Sequence, residues 1–112
     1  MQDWKTILSD LRSNTSILAE ANPKVTKAFA SLGQSLNKSR FLDAKTRELI
    51  ALAVAVTTRC EGCIASHVSS ACKAGATREE VAEALGTAIV LNAGAAYVYS
   101  SKVMEAFEQF EN

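Results

Sequence analysis

No segment of this sequence alternates apolar and polar residues with a period of two. Almost every segment instead repeats its apolar residues at three- and four-residue spacing, the period of helices packed through one face. Trp4, Ile7, Leu8 and Leu11 form one such stripe, which Ile17 and Leu18 extend beyond the polar Ser13-Asn14-Thr15. Asn22 suits the N-cap of a second helix, with Pro23 at the first helical position, where its missing N–H costs nothing. Val25, Phe29 and Leu32 form the inward face of that helix, which ends in Asn37-Lys38-Ser39-Arg40. Asp43 caps a third helix running to about Thr57. Thr58 and Glu61 fit a capping box that opens a fourth, and Gly75 stops it in the left-handed position after a helix. Thr77 and Glu80 make a second capping box for the fifth helix. Asn92 to Gly94 reads as a break before a last helix through Tyr97, Val98, Met104 and Phe107. The expectation is an all-α, six-helix chain forming a single domain over residues 1–112.

Composition supports a folded chain: 48% of residues are hydrophobic, 21% are charged, and twelve basic residues balance twelve acidic ones. No basic stretch is present to hold a nucleic-acid backbone. Met1-Gln2-Asp3-Trp4-Lys5 lacks the layout of a signal peptide, and the longest apolar run, Leu49 to Val56, is too short for a bilayer. A cytosolic protein with no membrane partner is therefore expected, and in that reducing compartment a close cysteine pair reads as redox-active or metal-binding. Leu49 to Val56 and Val81 to Val98 are apolar nearly all round, more than a chain this short can bury, which points to a homo-oligomer.

The chemistry concentrates in Cys60-Glu61-Gly62-Cys63-Ile64-Ala65-Ser66-His67. With Thr58 as N-cap, Cys60 falls at the second helical position, where free N–H groups and the helix dipole favour a thiolate. Cys63, three residues on, is within disulfide reach, and His67 lies a further four residues along the same face, placed to take a thiol proton. Glu48 and His67 stand at similar distances from the turn at Thr58, so an antiparallel hairpin brings them level. Glu48 then either orients the imidazole or merely pairs with Lys45 at the surface. Cys72, among Ala71 and Ala74, reads as a buried packing residue, and Tyr97 and Tyr99 as core or interface.

Glu48, Cys60, Cys63 and His67 together spell Glu-x11-Cys-x2-Cys-x3-His. With the flanks Lys45-Thr46-Arg47-Glu48-Leu49-Ile50 and Ala74-Gly75-Ala76-Thr77-Arg78-Glu79-Glu80-Val81, this resembles the AhpD-like (alkylhydroperoxidase D) branch of the carboxymuconolactone decarboxylase superfamily, over roughly residues 23 to 108. The resemblance implies an AhpD-like all-α fold, trimers or hexamers, and a redox pair at a helix N-terminus. It also implies that Cys63 attacks a peroxide, that Cys60 resolves the sulfenic acid, and that Glu48 and His67 relay protons. One departure stands out: the best-known enzymes of the branch carry histidine directly before the second cysteine, where this chain has Gly62.

The leading expectation is a thiol peroxidase that reduces hydroperoxides. It needs no metal or organic cofactor, and an external dithiol, thioredoxin-like or lipoyl-type, restores it. Gly62 keeps open a disulfide reductase or redox sensor using the same cysteines. A zinc-binding structural protein, with Cys60, Cys63, His67 and either Glu48 or Cys72 as ligands, is a further alternative, although only one close ligand pair is present. Lactone decarboxylation is less expected, because the decarboxylase branch generally lacks the cysteine pair.

Overall fold

Short-range capping hydrogen bonds set most of the helix starts in this chain, seen here in a computed structural model that describes residues 1–38 and 41–111. The Asp3 carboxylate accepts from the Thr6 amide and opens α1 (Trp4–Ala21). Asn22 ends α1, its N–H bonding to the Leu18 carbonyl, and starts α2 (Pro23–Gln34), its side chain accepting from Val25 N. A 3₁₀ turn, Ser35–Lys38, follows, whereas the expected polar end at Ser39-Arg40 lies outside the described residues. Asp43 accepts from Thr46 N at 2.8 Å to open α3 (Ala44–Thr58). The Arg47 guanidinium ties down the entry to α3 by donating to the Leu36 and Leu42 carbonyls. Next comes α4 (Glu61–Lys73), and the reciprocal Thr77–Glu80 capping box then opens α5 (Arg78–Phe110).

The described residues are all helical apart from turns, with five α-helices rather than six. The expected break at Asn92 to Gly94 does not occur, and α5 runs unbroken for 33 residues. The Asn92 amide explains why: it donates to the Ala88 carbonyl one turn back and to Thr57 Oγ1 on α3, so it serves the helix and its neighbour. Thr58 is likewise not an N-cap. It is the last residue of α3, and its hydroxyl donates back to the Val54 carbonyl.

Two equivalent turns fold α4 and then α5 back onto α3. After α3, Arg59 adopts the left-handed conformation (φ 55°, ψ 47°) and Cys60 N donates to the Ala55 carbonyl. After α4, Gly75 takes the same region (φ 84°) and Ala76 N donates to the Ala71 carbonyl. Both are six-residue closures of the Schellman kind, and both end on an alanine that is almost fully buried, Ala55 or Ala71.

Lys45 Nζ pairs with Glu80 at 2.8 Å near one end of α3, and Thr57 bonds Asn92 near the other. Each partner follows 35 residues later, so α3 and α5 run parallel and in register. The helix between them, α4, returns antiparallel along α3, while α1 packs on α4. Among the described residues α4 and α5 do not pack on one another, which makes α3 the shared wall. The core is narrow and built mostly from alanine: Leu52, Ala55, Ala65, Ala71 and Ala88.

Much of the described chain outside that core is open. Val25, Phe29 and Leu32, expected to face inward, are more than half exposed because, among the described residues, α2 packs only on α1 and the 3₁₀ turn. Cys72 is exposed rather than buried, and Tyr97 and Tyr99 lie on a stretch of α5 that passes beyond the end of α3. The radius of gyration is 18.6 Å, against about 13 Å for a compact chain of this length. By length and composition alone α5 is also sufficient to cross a membrane, with an 18-residue window of mean hydropathy 1.4.

Candidate redox site

The α3–α4 turn delivers Cys60 to the N-cap position of α4 in extended backbone (φ −99°, ψ 98°). Its sulfur therefore sits at the positive end of the helix and accepts the Cys63 amide at 3.2 Å. The same cysteine donates its own N–H to close the turn after α3. Cys60 and Cys63 are joined as a disulfide, with Cα atoms 5.1 Å apart. Both are partly exposed, so a reductant can reach this end of the helix.

One turn beyond Cys63, His67 lies on the same face of α4. Its Nδ1 is 2.7 Å from Glu48 Oε2 on α3. Both side chains are partly buried, 38% and 23% exposed, which shields the pair from bulk water while leaving the ring accessible. A carboxylate accepts only, so the bond fixes the proton on Nδ1 and leaves Nε2 as the basic nitrogen. The antiparallel hairpin thus brings Glu48 and His67 together, and the first turns of α4 hold Cys60, Cys63 and His67 along one side.

Lys45, the surface partner weighed for Glu48, pairs with Glu80 instead. Cys72 belongs to the last turn of α4, away from the capping cysteine, and no group of three or more His, Cys, Asp or Glu side chains is gathered as a metal site among the described residues.

Two features of the site were not readable from the sequence. A Cβ at Gly62 would meet Leu11 Cδ1 at 3.1 Å and Cδ2 at 3.4 Å, so the α1 leucine fills the space beside the residue between the cysteines. Gln2 Nε2 adds a 3.2 Å bond to Glu61 on the neighbouring position. The amphipathic stripe of α1 signalled an inward face, but nothing local named α4 as its target. The second feature is a cavity of about 340 Å³ between α1 and α4, lined by Trp4, Ile64, Ala65 and Val68. It is an apolar surface one residue beyond the disulfide.

The comparisons agree with this architecture. Residues 23–106 match the family model for the carboxymuconolactone decarboxylase family. An uncharacterized protein of Haemophilus influenzae is 54% identical over 105 residues, covering 94% of this chain and 93% of that one. An uncharacterized protein from the cox locus of Paracoccus denitrificans is 36% identical, covering 83% and 84%. Among solved structures, the apo form of a carboxymuconolactone decarboxylase family protein from Legionella pneumophila superposes with a TM-score of 0.75 at 38% identity, covering 97% of each chain. A protein from Methanobacterium thermoautotrophicum gives a TM-score of 0.69 at 30% identity, covering 76% of this chain and 98% of that one. With three quarters of its length inside the family model and a full-length structural counterpart, this chain belongs to the carboxymuconolactone decarboxylase family.

Proposed function

We propose that the chain is a thiol-dependent peroxidase of the AhpD-like branch, reducing hydroperoxides with electrons from an external dithiol in the cytosol. The observation that carries this reading is the Cys60–Cys63 disulfide at the start of the helix that also holds the Glu48-bound His67.

In the reduced protein, His67 Nε2 takes the Cys63 thiol proton, and Glu48 stabilises the imidazolium through Nδ1. The Cys63 thiolate attacks the terminal peroxide oxygen. The S–O bond forms as the O–O bond breaks, and the alkoxide leaves as the alcohol with the proton from His67. Cys60, held as a thiolate by the helix N-terminus and the Cys63 amide, then attacks the Cys63 sulfenic acid. The S–S bond forms as the S–O bond breaks, and hydroxide leaves as water by taking up from solvent the proton that Cys60 released there on ionising. An external dithiol attacks Cys60, passes through a mixed disulfide, and departs oxidised while both cysteines regain their thiols.

The test is peroxide consumption with a dithiol donor by wild type, Cys60→Ser and Cys63→Ser. Cys63→Ser is expected to abolish turnover, whereas Cys60→Ser reacts once and accumulates a sulfenic acid trappable by dimedone. Full turnover by Cys63→Ser would overturn the assignment.

A second reading, a disulfide reductase without peroxidase activity, is favoured by one observation: Leu11 occupies the space beside Gly62, where the better-known enzymes of the branch carry histidine. Comparing oxidation of the reduced protein by peroxides with oxidation by small disulfides separates the two. Rapid reaction with disulfides and none with peroxides selects the second.

A further inference from the structure

Only Glu61 and Gly62 lie between the bonded cysteines, and α1 touches both. Gln2 Nε2 donates to Glu61 Oε2 at 3.2 Å, and Leu11 lies against Gly62, where a Cβ would stand 3.1 Å from its Cδ1. Trp4 reaches the next part of α4 across the apolar cavity lined by Ile64, Ala65 and Val68. Among the described residues α1 packs on α4 and α2 alone, and it precedes residue 23, where the match to the family model begins. Its seat on the rest of the fold is therefore the redox turn and the stretch of α4 just beyond it.

That seat is light. No residue of α1 is buried, Trp4 is 38% exposed, and the cavity beside it, about 340 Å³, leaves part of α4 uncovered. Among the described residues α2 adds no second anchor, because it packs only on α1 and on the 3₁₀ turn that Arg47 holds. A helix with so few buried contacts opens at low free-energy cost, so a small change beneath it moves it.

We infer that Leu11 and Gln2 are positioning residues of the thiol pair: α1 grips the turn in its disulfide form and loosens when the pair is reduced. The disulfide closes residues 60–63 into a covalent ring and removes freedom from Glu61 and Gly62. Both belong to the first turn of α4, whose N–H groups lack carbonyl partners within the helix. When an external dithiol reduces the S–S bond to two thiols and is itself oxidised to a disulfide, the ring opens. The residues under Gln2 and Leu11 then gain motion, and α1 loses part of its packing. Linkage makes the effect reciprocal: the grip of α1 on the disulfide form biases the pair toward oxidation by the same free energy. Release of α1 also uncovers Ile64, one turn from Cys60 on the same face of α4. The inference rests on the pair cycling between disulfide and dithiol, which the peroxidase and reductase readings share, and not on the nature of the oxidant.

Hydrogen exchange read by mass spectrometry on the full chain, oxidised and then reduced with dithiothreitol, tests the coupling without mutation. The α1 amides are expected to exchange about fivefold faster or more in the reduced protein, while residues 82–92 of α5 keep one rate in both states. A second arm equilibrates wild type, Gln2→Ala, Leu11→Ala and Leu11→Met with glutathione buffers of graded ratio. The Cys60–Cys63 disulfide is counted by peptide mapping, so that the exposed Cys72 does not contribute. Leu11→Ala is expected to shift the equilibrium toward dithiol about tenfold, which is about 30 mV for a two-electron couple, and Gln2→Ala about threefold. Leu11→Met keeps an apolar side chain over Gly62 and retains the wild-type value. A purely structural role would weaken both redox forms alike and leave the equilibrium where it was, and circular dichroism checks that each variant keeps its helices. Equal α1 exchange in the two states would overturn the inference, as would an equilibrium unshifted or oppositely shifted in Leu11→Ala. Neither arm uses a peroxide, so failure here is separate from failure of the peroxidase reading.

Discussion

Glu48 Oε2 and His67 Nδ1, nineteen residues apart in sequence, meet at 2.7 Å across the α3–α4 hairpin. The bond orients a histidine that shares its helix face with Cys63, so its loss should be felt at the thiol and not in the fold. Glu48→Gln is expected to lower the second-order rate of peroxide reaction about 10- to 100-fold, and His67→Ala about 100-fold or more. Stopped-flow oxidation of the reduced protein measures both. Raising the pH should recover much of the lost rate, because the thiolate then forms without a base.

Gly62→His tests how tightly α1 closes over the cysteine turn. Even a bare Cβ there stands 3.1 Å from Leu11, so an imidazole must displace that side chain. The expected cost is about 1–3 kcal/mol of stability, read from denaturant midpoints. Pairing the change with Leu11→Ala should recover more than the two single effects predict, whereas strict additivity would mean the side chains do not compete.

Arg59 holds a left-handed conformation that strains any side chain carrying a Cβ, while Gly75 makes the equivalent turn after α4 without that strain. Arg59→Gly is expected to stabilise the protein by about 1 kcal/mol, seen as a raised melting temperature. Gly75→Ala should lower it by a similar amount.

Acid should loosen the helix starts. Hydrogen bonds from Lys45 and from the Thr77 backbone hold the Glu80 carboxyl below its usual range, and the Thr46 and Thr6 amides do the same for Asp43 and Asp3. A depressed folded value contributes stability that is present above the unfolded value, about 4 for these groups, and lost as the pH falls through the folded one. Lys45 is shifted the opposite way, upward through Glu80, so its share is present below its unfolded value near about 10.4 and lost as the pH rises through the folded one. Glu80→Gln should flatten the acid limb of a stability–pH profile below about pH 4.5. Added salt should shrink the effect, since the pair is about one-third exposed.

What could be read from the sequence was what neighbouring residues decide. Asp43 with Thr46, Asn22 with Pro23, and Thr77 with Glu80 each fix a helix start within four residues. The level placement of Glu48 and His67 followed from helical rise alone. The errors arose where a distant or hidden partner decided the outcome. Thr58 looked like a cap because nothing in an arginine announces a left-handed turn. Asn92 looked like a breaker because its partner Thr57 lies on another helix. The face of α2 looked like core because periodicity reports an apolar face without saying whether the same chain covers it.

The position of α3 has an evolutionary consequence. Since α4 meets α5 only through this intervening helix, the thiol turn and the part of α5 beyond α3 form two separately adjustable modules on one wall. Substitutions around Gly62 and Leu11 can retune access to the cysteines without disturbing the Lys45–Glu80 and Thr57–Asn92 register that aims that part of α5. Drift in one half leaves the other intact as long as Leu52 and Ala55 continue to fill the narrow centre.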